Sequence, residues 1–375
     1  MTIGVYVDPL RIFTSSMPQR GLLIELLQLR NNDRFVFFVT RRFENDQVLQ
    51  EFFKQIQHFG NWELVVLKLP VKFMRIMQLL GFAYPRLGRK CDIYFSPDIE
   101  TFGHNCRPVI NYLADLSVFD DKQNTSLSKF NTFFRARCIK FMDSRSDCVV
   151  LISEFSASRY RFHFPHSAGK LKVIYNGINP LWFSQPVKPF FEDAAPYWIW
   201  MGGSYTSRKN LDRLFQAYRM VKDKYRGKAP DIILAGLDQD SIIKLKEVLK
   251  QQSLSDFVKL YPKMSTTELI SMVDGSEGIL FPSNYEGFGL PVVEAFARGK
   301  PGLVAAVTSL PEVSRGLAVL CNPADVDSIG KGLVDLMAQI GHDSGAADRR
   351  MQASRFTYER AGLSFSKLIE QLTTN

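Results

Sequence analysis

Short apolar runs alternate with stretches of helical period along almost the whole chain. The series opens with Ile3 to Val7, Leu22 to Leu29, Phe35 to Val39, a helical stretch near Val48 to Ile56, and Leu64 to Leu67. It continues through Asp92 to Phe95, Val109 to Leu113 and Val149 to Ile152, and closes at Val173 to Tyr175. The runs are apolar on both faces, as strands buried between helices must be, so they predict a parallel sheet built from βα units. Residues 179–196 then carry four prolines (Pro180, Pro186, Pro189, Pro196) without helical period, and this segment is expected to be an interdomain linker. A second series follows at Trp198 to Met201, Ile232 to Ala235, Val258 to Leu260, Ile279 to Phe281 and Leu303 to Ala305. The pattern predicts an α/β protein of two doubly wound, Rossmann-like domains facing across a cleft, with ligands at the carboxyl ends of the strands. The domains are expected at 1–178 and 197–355, with a C-terminal helix over 356–375 that packs back on the first domain.

Length agrees, because 375 residues exceed what one core usually supports. A hydrophobic fraction of 46% with 23% charged residues and no low-complexity tract excludes a disordered chain. Asp8 interrupts the amino terminus too early for a signal peptide, and no apolar run reaches about 18 residues, so the chain is expected to be cytoplasmic. Five scattered cysteines without a C-x-x-C pair argue against disulfides or structural zinc and for a reducing compartment. Charge is uneven. Residues 1–180 hold 24 Lys+Arg against 16 Asp+Glu, a net of +8, whereas residues 181–375 hold 23 against 22, a net of +1. A basic first half suits an anionic partner, such as a phosphate-bearing acceptor or a membrane surface, or it serves solubility alone.

The chemistry concentrates in Phe281-Pro-Ser-Asn-Tyr-Glu-Gly-Phe-Gly-Leu-Pro-Val-Val-Glu-Ala295. A buried strand ends at Pro282, a polar loop with Gly287 and Gly289 follows, and a helix is expected from Leu290. A helix N-terminus offers unpaired N–H groups and the positive end of its dipole to phosphate, and the glycines let the backbone approach. The E-x7-E spacing of Glu286 and Glu294 and the surrounding residues resemble the donor signature of retaining glycosyltransferase family 4. The predicted architecture is then GT-B-like. The resemblance implies that Glu286 orders the donor sugar and Glu294 accepts ribose hydroxyls, around Phe288 and Leu290. A second segment, Met201-Gly-Gly-Ser-Tyr-Thr-Ser-Arg-Lys-Asn210, resembles the family's phosphate loop, with Gly202, Gly203, Arg208 and the diphosphate lysine Lys209. Gly203 stands six before that lysine, where the family often has arginine. The stretch "VKLYPKMS" resembles the nucleobase loop, with Tyr261, Pro262 and Met264 reading the base through the backbone.

The resemblance is sparser in the first half. "VINYLADLSVFD" resembles a family segment in which histidine precedes Asp115; here Ala114 takes that place, and Asp115 is the candidate catalytic residue, with His104 as a further cleft candidate. The family's glycine-rich turn after the first strand has only Gly21 to offer, and Thr14, Ser15 and Ser16 are candidates for lining the cleft. Ser153 and Asn176 are read as structural, and Ser309 to Val313 as packing. Asp238-Gln-Asp240 has a D-x-D pattern that could hold a divalent cation. In this architecture it is read as a loop, with Asp240 capping the helix Ile242 to Leu249. Lys68 to Lys90 interleaves apolar and basic residues, which suits an interfacial helix at the inner face of a membrane or an ordinary core helix with a basic outer face.

The resemblance implies a metal-independent, retaining hexosyltransferase taking a UDP-sugar, glucose favoured, to a saccharide or lipid-linked acceptor in cell-surface polysaccharide assembly, with no cofactor and no covalent nucleophile. A GDP-mannose-dependent mannosyltransferase is the alternative. An epimerase or phosphorylase of the same architecture is disfavoured by the E-x7-E loop. An inactive nucleotide-sugar-binding scaffold is made conceivable by Gly203 and Ala114. A nucleic-acid-binding protein lacks a recognition motif here, and no nucleic acid is expected.

Overall fold

A computed structural model of the chain describes residues 1–11, 17–68, 73, 76, 77, 80, 91–99, 108–120, 129–191, 195–225 and 228–374. The chain divides into two compact units. The first comprises Met1–Lys122, Leu127–Asn179 and Thr357–Asn375, and the second holds Pro180–Phe356.

The first unit is built on seven strands: β1 (Thr2–Tyr6), β2 (Arg34–Thr40), β3 (Trp62–Leu67), β4 (Ile93–Ser96), β5 (Val109–Leu113), β6 (Cys148–Leu151) and β7 (Leu171–Val173). All pair in parallel in the order β3-β2-β1-β4-β5-β6-β7. Apart from Thr2 and Arg34, which open β1 and β2, the inner strands are buried, as their apolar runs require, whereas the edge strand β3 is only partly covered. Gly21 lies within the helix Met17–Leu29 and not in a turn after β1. A Cβ there would lie 2.3 Å from the ring of Tyr358, so the glycine exists to admit that ring from the C-terminal helix Tyr358–Thr373. Gly362 on that helix is equally tight, 2.8 Å from Glu25 Cβ. The C-terminal helix therefore belongs to the first unit, and Arg30 reinforces the contact by donating to Ser366 Oγ at 3.0 Å and Glu370 at 3.1 Å.

The second unit carries β8 (Tyr197–Met201), β9 (Asp231–Leu237), β10 (Val258–Pro262), β11 (Gly278–Phe281), β12 (Gly302–Ala305) and β13 (Val319–Cys321). They are parallel, in the order β10-β9-β8-β11-β12-β13. The direction in which strands are added reverses between β8 and β11, so the loops leaving those two strands diverge and open a crevice at their carboxyl ends. Both candidate donor loops, 202–210 and 282–289, leave from that switch point.

The proline-rich segment after Asn179 is not a free tether. It contains a 3-10 helix, Pro180–Phe183, whose Trp182 is 1% exposed. Val187 N donates to Asp274 at 2.9 Å, and Arg298 reaches the carbonyls of Trp182, Ser184 and Gln185. Proline removes helical period but leaves carbonyls available, and a buried arginine collects them.

Candidate functional site

The loops 202–210 and 282–289 are joined directly to each other. Asn284 N donates to the Arg208 carbonyl at 2.8 Å and Asn284 Nδ2 to the Ser207 carbonyl at 2.9 Å. Asn210, buried and in the left-handed region at φ 58°, donates from its side chain to the carbonyls of Pro282 (2.9 Å) and Pro323 (2.8 Å). A backbone turn that would otherwise be strained is thus anchored on two neighbouring loops.

Within this frame Lys209 Nζ donates to Glu286 Oε1 at 2.7 Å, and Arg208 Nη1 stands 4.0 Å from Glu286 Oε2. Lys209 also sits 5.0 Å from the centre of the Phe281 ring. Burial pushes the Glu286 carboxyl up, but the two cations and the Lys209 hydrogen bond outweigh it, so the group is held below the usual carboxylate range. Glu286 is ionised at neutral pH. The loop is fixed from beneath by Thr308 Oγ1, which accepts from Glu286 N at 3.2 Å, and by Ser309 Oγ, 2.9 Å from the carbonyls of both Glu286 and Phe288. Ser309 to Val313 is therefore more than packing.

Gly289 caps the helix Leu290–Ala297 at φ 103°, and a Cβ there would lie 2.6 Å from Leu310 Cδ2. Only glycine meets both conditions. Phe288 is buried on Phe356, its ring centre 5.4 Å away. Glu294 lies one turn into the helix. Burial raises its carboxyl to about 7, only partly offset by a hydrogen bond from the Trp182 indole. The two glutamates of the motif thus differ: Glu286 is ionised at neutral pH, whereas burial holds the Glu294 carboxyl up to about 7.

The remaining candidates fall as follows. Gly202 packs where a Cβ would strike the Trp200 ring, whereas a Cβ at Gly203 would meet nothing within 4 Å, so Gly203 faces open space in the phosphate loop. Tyr261 and Pro262 end strand β10, and the Tyr261 ring lies against Phe190 and Phe191 at 6.3 and 5.6 Å. Met264 follows in the loop. Asp115 belongs to the first unit, where it accepts from Ser117 N (3.0 Å) and Ser117 Oγ (2.6 Å) at the start of a short helix. Ser153 caps the helix Glu154–His163 and Asn176 accepts from the buried Tyr112 hydroxyl. Thr14, Ser15, Ser16, His104 and nearly all of 68–90 lie outside the described residues. Asp238, not Asp240, caps the helix Gln239–Gln251, accepting from Ser241 N at 2.8 Å while Ser204 Oγ donates to its other oxygen at 2.6 Å. The cap falls one residue before the helix, and Asp240 already lies inside its first turn. Among the described residues, no three His, Cys, Asp or Glu side chains group as a metal set, and no helix is long and apolar enough to cross a membrane.

The Glu294 carboxyl predicts a pH dependence of stability. Its folded pKa, about 7, lies above the ordinary carboxylate value of 4.5, so the stability contributed by the neutral acid is complete below that value and is lost as pH rises to about 7. Denaturation of wild type and Glu294→Gln at pH 5 and 7.5 checks it: the variant is expected to lose less stability across the interval, and an equal loss would exclude Glu294 as the source.

Comparison with known proteins places this geometry. Residues 188–352 match the family model of glycosyl transferases group 1. The chain is 29% identical to O-antigen chain mannosyltransferase B of Escherichia coli over 276 residues, 71% of each protein. It is 27% identical over 159 residues, 42% of each protein, to O-antigen chain mannosyltransferase RfbU of Salmonella typhimurium. In fold it is similar to sucrose-phosphate synthase from Thermosynechococcus elongatus, with a TM-score of 0.75 at 17% identity over 100% of this chain and 99% of the other. It is also similar to Anabaena Alr3699/HepE in complex with UDP, with a TM-score of 0.66 at 14% identity over 99% of this chain and 100% of the other. The residues that match the model of glycosyl transferases group 1, and both loops of the switch point, lie in the second unit.

Proposed function

We propose that the chain transfers mannose from GDP-mannose to a saccharide acceptor in the assembly of a cell-surface polysaccharide, retaining the anomeric configuration. The observation that carries the donor site is the Lys209–Glu286 pair, 2.7 Å apart at the mouth of a helix N-terminus. In the free protein the cation that would meet the diphosphate is neutralised by the carboxylate that would meet the sugar. An arriving diphosphate competes for Lys209 and Arg208, and each lone pair of Glu286 it releases becomes free to accept a sugar hydroxyl. Donor binding then assembles the site it needs. As the glycosidic bond breaks, negative charge grows on the departing phosphate, where Lys209, Arg208 and the N–H groups preceding Leu290 stand ready without reorganising. The departing phosphate assists attack from the same face, which accounts for retention without a protein nucleophile, and two fixed cations carry the charge that a divalent metal would otherwise balance.

Mannose is preferred to glucose because relatives that align over 276 and 159 residues are O-antigen chain mannosyltransferases. A UDP-hexose is the second reading, favoured by the likeness to a UDP-bound fold. Calorimetric titration with GDP, GDP-mannose, UDP and UDP-glucose in chelator tests both. GDP ligands are expected to bind at least about tenfold tighter, a difference of about 1.4 kcal/mol. The reverse order transfers the assignment to a UDP-hexose, and binding of neither class overturns the donor site.

A further inference from the structure

Among the described residues, four that are not glycine have a positive φ: Asn210, Ser253, Thr308 and Arg315, at 58°, 54°, 60° and 48°. Thr308 is the β-branched member of the four, and a branched Cβ crowds the backbone in the left-handed region, where such a residue is an outlier. Strain of that kind persists only where the surrounding contacts impose it. Here they are specific. β12 runs parallel to β11, with Ile279 opposite Gly302 and Phe281 opposite Val304, so the loops leaving the two strands emerge side by side. Thr308 Oγ1 donates its one proton to the Val307 carbonyl at 2.7 Å, which leaves a lone pair for the Glu286 N–H, 3.2 Å away. The next residue, Ser309, is buried and donates from Oγ to the Glu286 carbonyl at 2.9 Å. Side chains of consecutive residues diverge in extended backbone, and the left-handed turn at Thr308 lets both hydroxyls reach one residue. Both backbone groups of Glu286 are thereby held from the loop after β12.

Resting on the donor-site reading above, we propose that Thr308 is a positioning residue for the donor sugar, its hydroxyl fixing the Glu286 backbone and through it the carboxylate that accepts a sugar hydroxyl. The need for such a hold follows from the Lys209–Glu286 pair. In the free protein Lys209 Nζ restrains the carboxylate directly, at 2.7 Å. When a diphosphate takes the ammonium, that restraint goes, and Arg208, 4.0 Å away, stands too far off to replace it with a hydrogen bond. The carboxylate is then aimed by its own main chain. A shift of more than about 0.5 Å at that root is enough to spoil a productive contact, so the two hydroxyls matter most once the donor is bound. The nucleoside diphosphate part of the donor depends on Lys209, Arg208 and the start of the helix Leu290–Ala297, and among the described residues Thr308 bonds to none of these. Loss of its hydroxyl should therefore be felt by the sugar and not by the nucleotide.

The test is calorimetric titration of GDP, GDP-mannose, UDP and UDP-glucose into wild type, Thr308→Val, Thr308→Gly, Thr308→Ser and Glu286→Ala, read as the ratio of sugar-nucleotide to nucleoside-diphosphate affinity for the better base. Valine keeps the branched shape and loses the acceptor. Glycine loses the acceptor too, but adopts the left-handed backbone without strain, so it serves where valine disturbs folding. Both are expected to lower the ratio about tenfold while the nucleoside diphosphate itself changes by less than about twofold. Serine keeps the hydroxyl and should keep the wild-type ratio. In a Glu286→Ala background, Thr308→Gly should lower the ratio no further, because the carboxylate it aims is gone. A residue that only packed the loop would weaken both ligands alike. An unchanged ratio in the glycine variant, or a ratio lost equally with serine, overturns the proposal. A Glu286→Ala protein with the wild-type ratio would instead sink the donor-site reading itself.

Discussion

Lys209→Ala is expected to lower kcat by about 10²- to 10³-fold, the usual loss when one preorganised group that meets transition-state charge is removed. The affinity for the nucleoside diphosphate should fall by about tenfold in the same variant. The effect reaches beyond the missing ammonium, because Lys209 is also the hydrogen-bonding cation that keeps the buried Glu286 ionised. With Lys209 gone, burial pushes the Glu286 carboxyl upward against Arg208 alone, so residual activity should decline on acidification across a range where wild type stays flat. Lys209→Arg restores the charge but not the compact point donor, and is expected to recover only part of the loss. Because the pair acts as a unit, Lys209→Ala and Glu286→Gln should combine far less than additively in kcat/KM. Steady-state rates with the donor found by titration decide it. Full additivity would mean that the two side chains serve separate steps.

The pair itself was legible in the sequence only as two separate residues. Lys209 and Glu286 lie 77 positions apart, and what brings them together is the reversal of strand order between β8 and β11, a property of topology. That reversal follows from the βα alternation, which the apolar runs display plainly, so the general location of the site at the carboxyl ends of these strands could be expected. The E-x7-E spacing was equally open to reading, because a loop glycine, a helix start and two carboxylates are all local features. The supports were not. Asn210 and Ser309 do their work through side-chain bonds to pairs of carbonyls distant in sequence, and nothing in their own neighbourhoods announces it. "SLPEV" was visible as a motif, but that a hydroxyl would sit between the Glu286 and Phe288 carbonyls depends on how the following strand is placed. Gly21 shows the opposite failure. For the family's glycine-rich turn after the first strand the sequence offered only Gly21, whereas the residue answers to Tyr358 at the other end of the chain.

The state of Glu294 also needed three dimensions. In sequence the two glutamates are chemically identical, and only the structure separates them: Lys209 donates to Glu286 and holds it ionised, whereas burial pushes the Glu294 carboxyl up to about 7.

Arg298→Ala is expected to destabilise the chain by about 3–5 kcal/mol, the cost of leaving a buried partner charge uncompensated. The Arg298 side chain is 3% exposed and the Asp274 side chain 10%, so solvent cannot replace the lost contacts. The guanidinium meets the carboxylate through two parallel bonds and gives its remaining donors to the carbonyls of Trp182, Ser184 and Gln185 at 3.1, 2.7 and 3.2 Å. Three carbonyls lose this donor at once, and the Asp274 carboxylate keeps the bond from Val187 N. Arg298→Lys should recover little, because an ammonium is a point donor and cannot span two carboxylate oxygens and three backbone groups. Denaturant unfolding of the full chain, followed by tryptophan emission and by far-ultraviolet dichroism, measures the loss. A stability loss below about 1 kcal/mol would mean that the segment after Asn179 is held by its other contacts, such as the bond from Val187 N to Asp274.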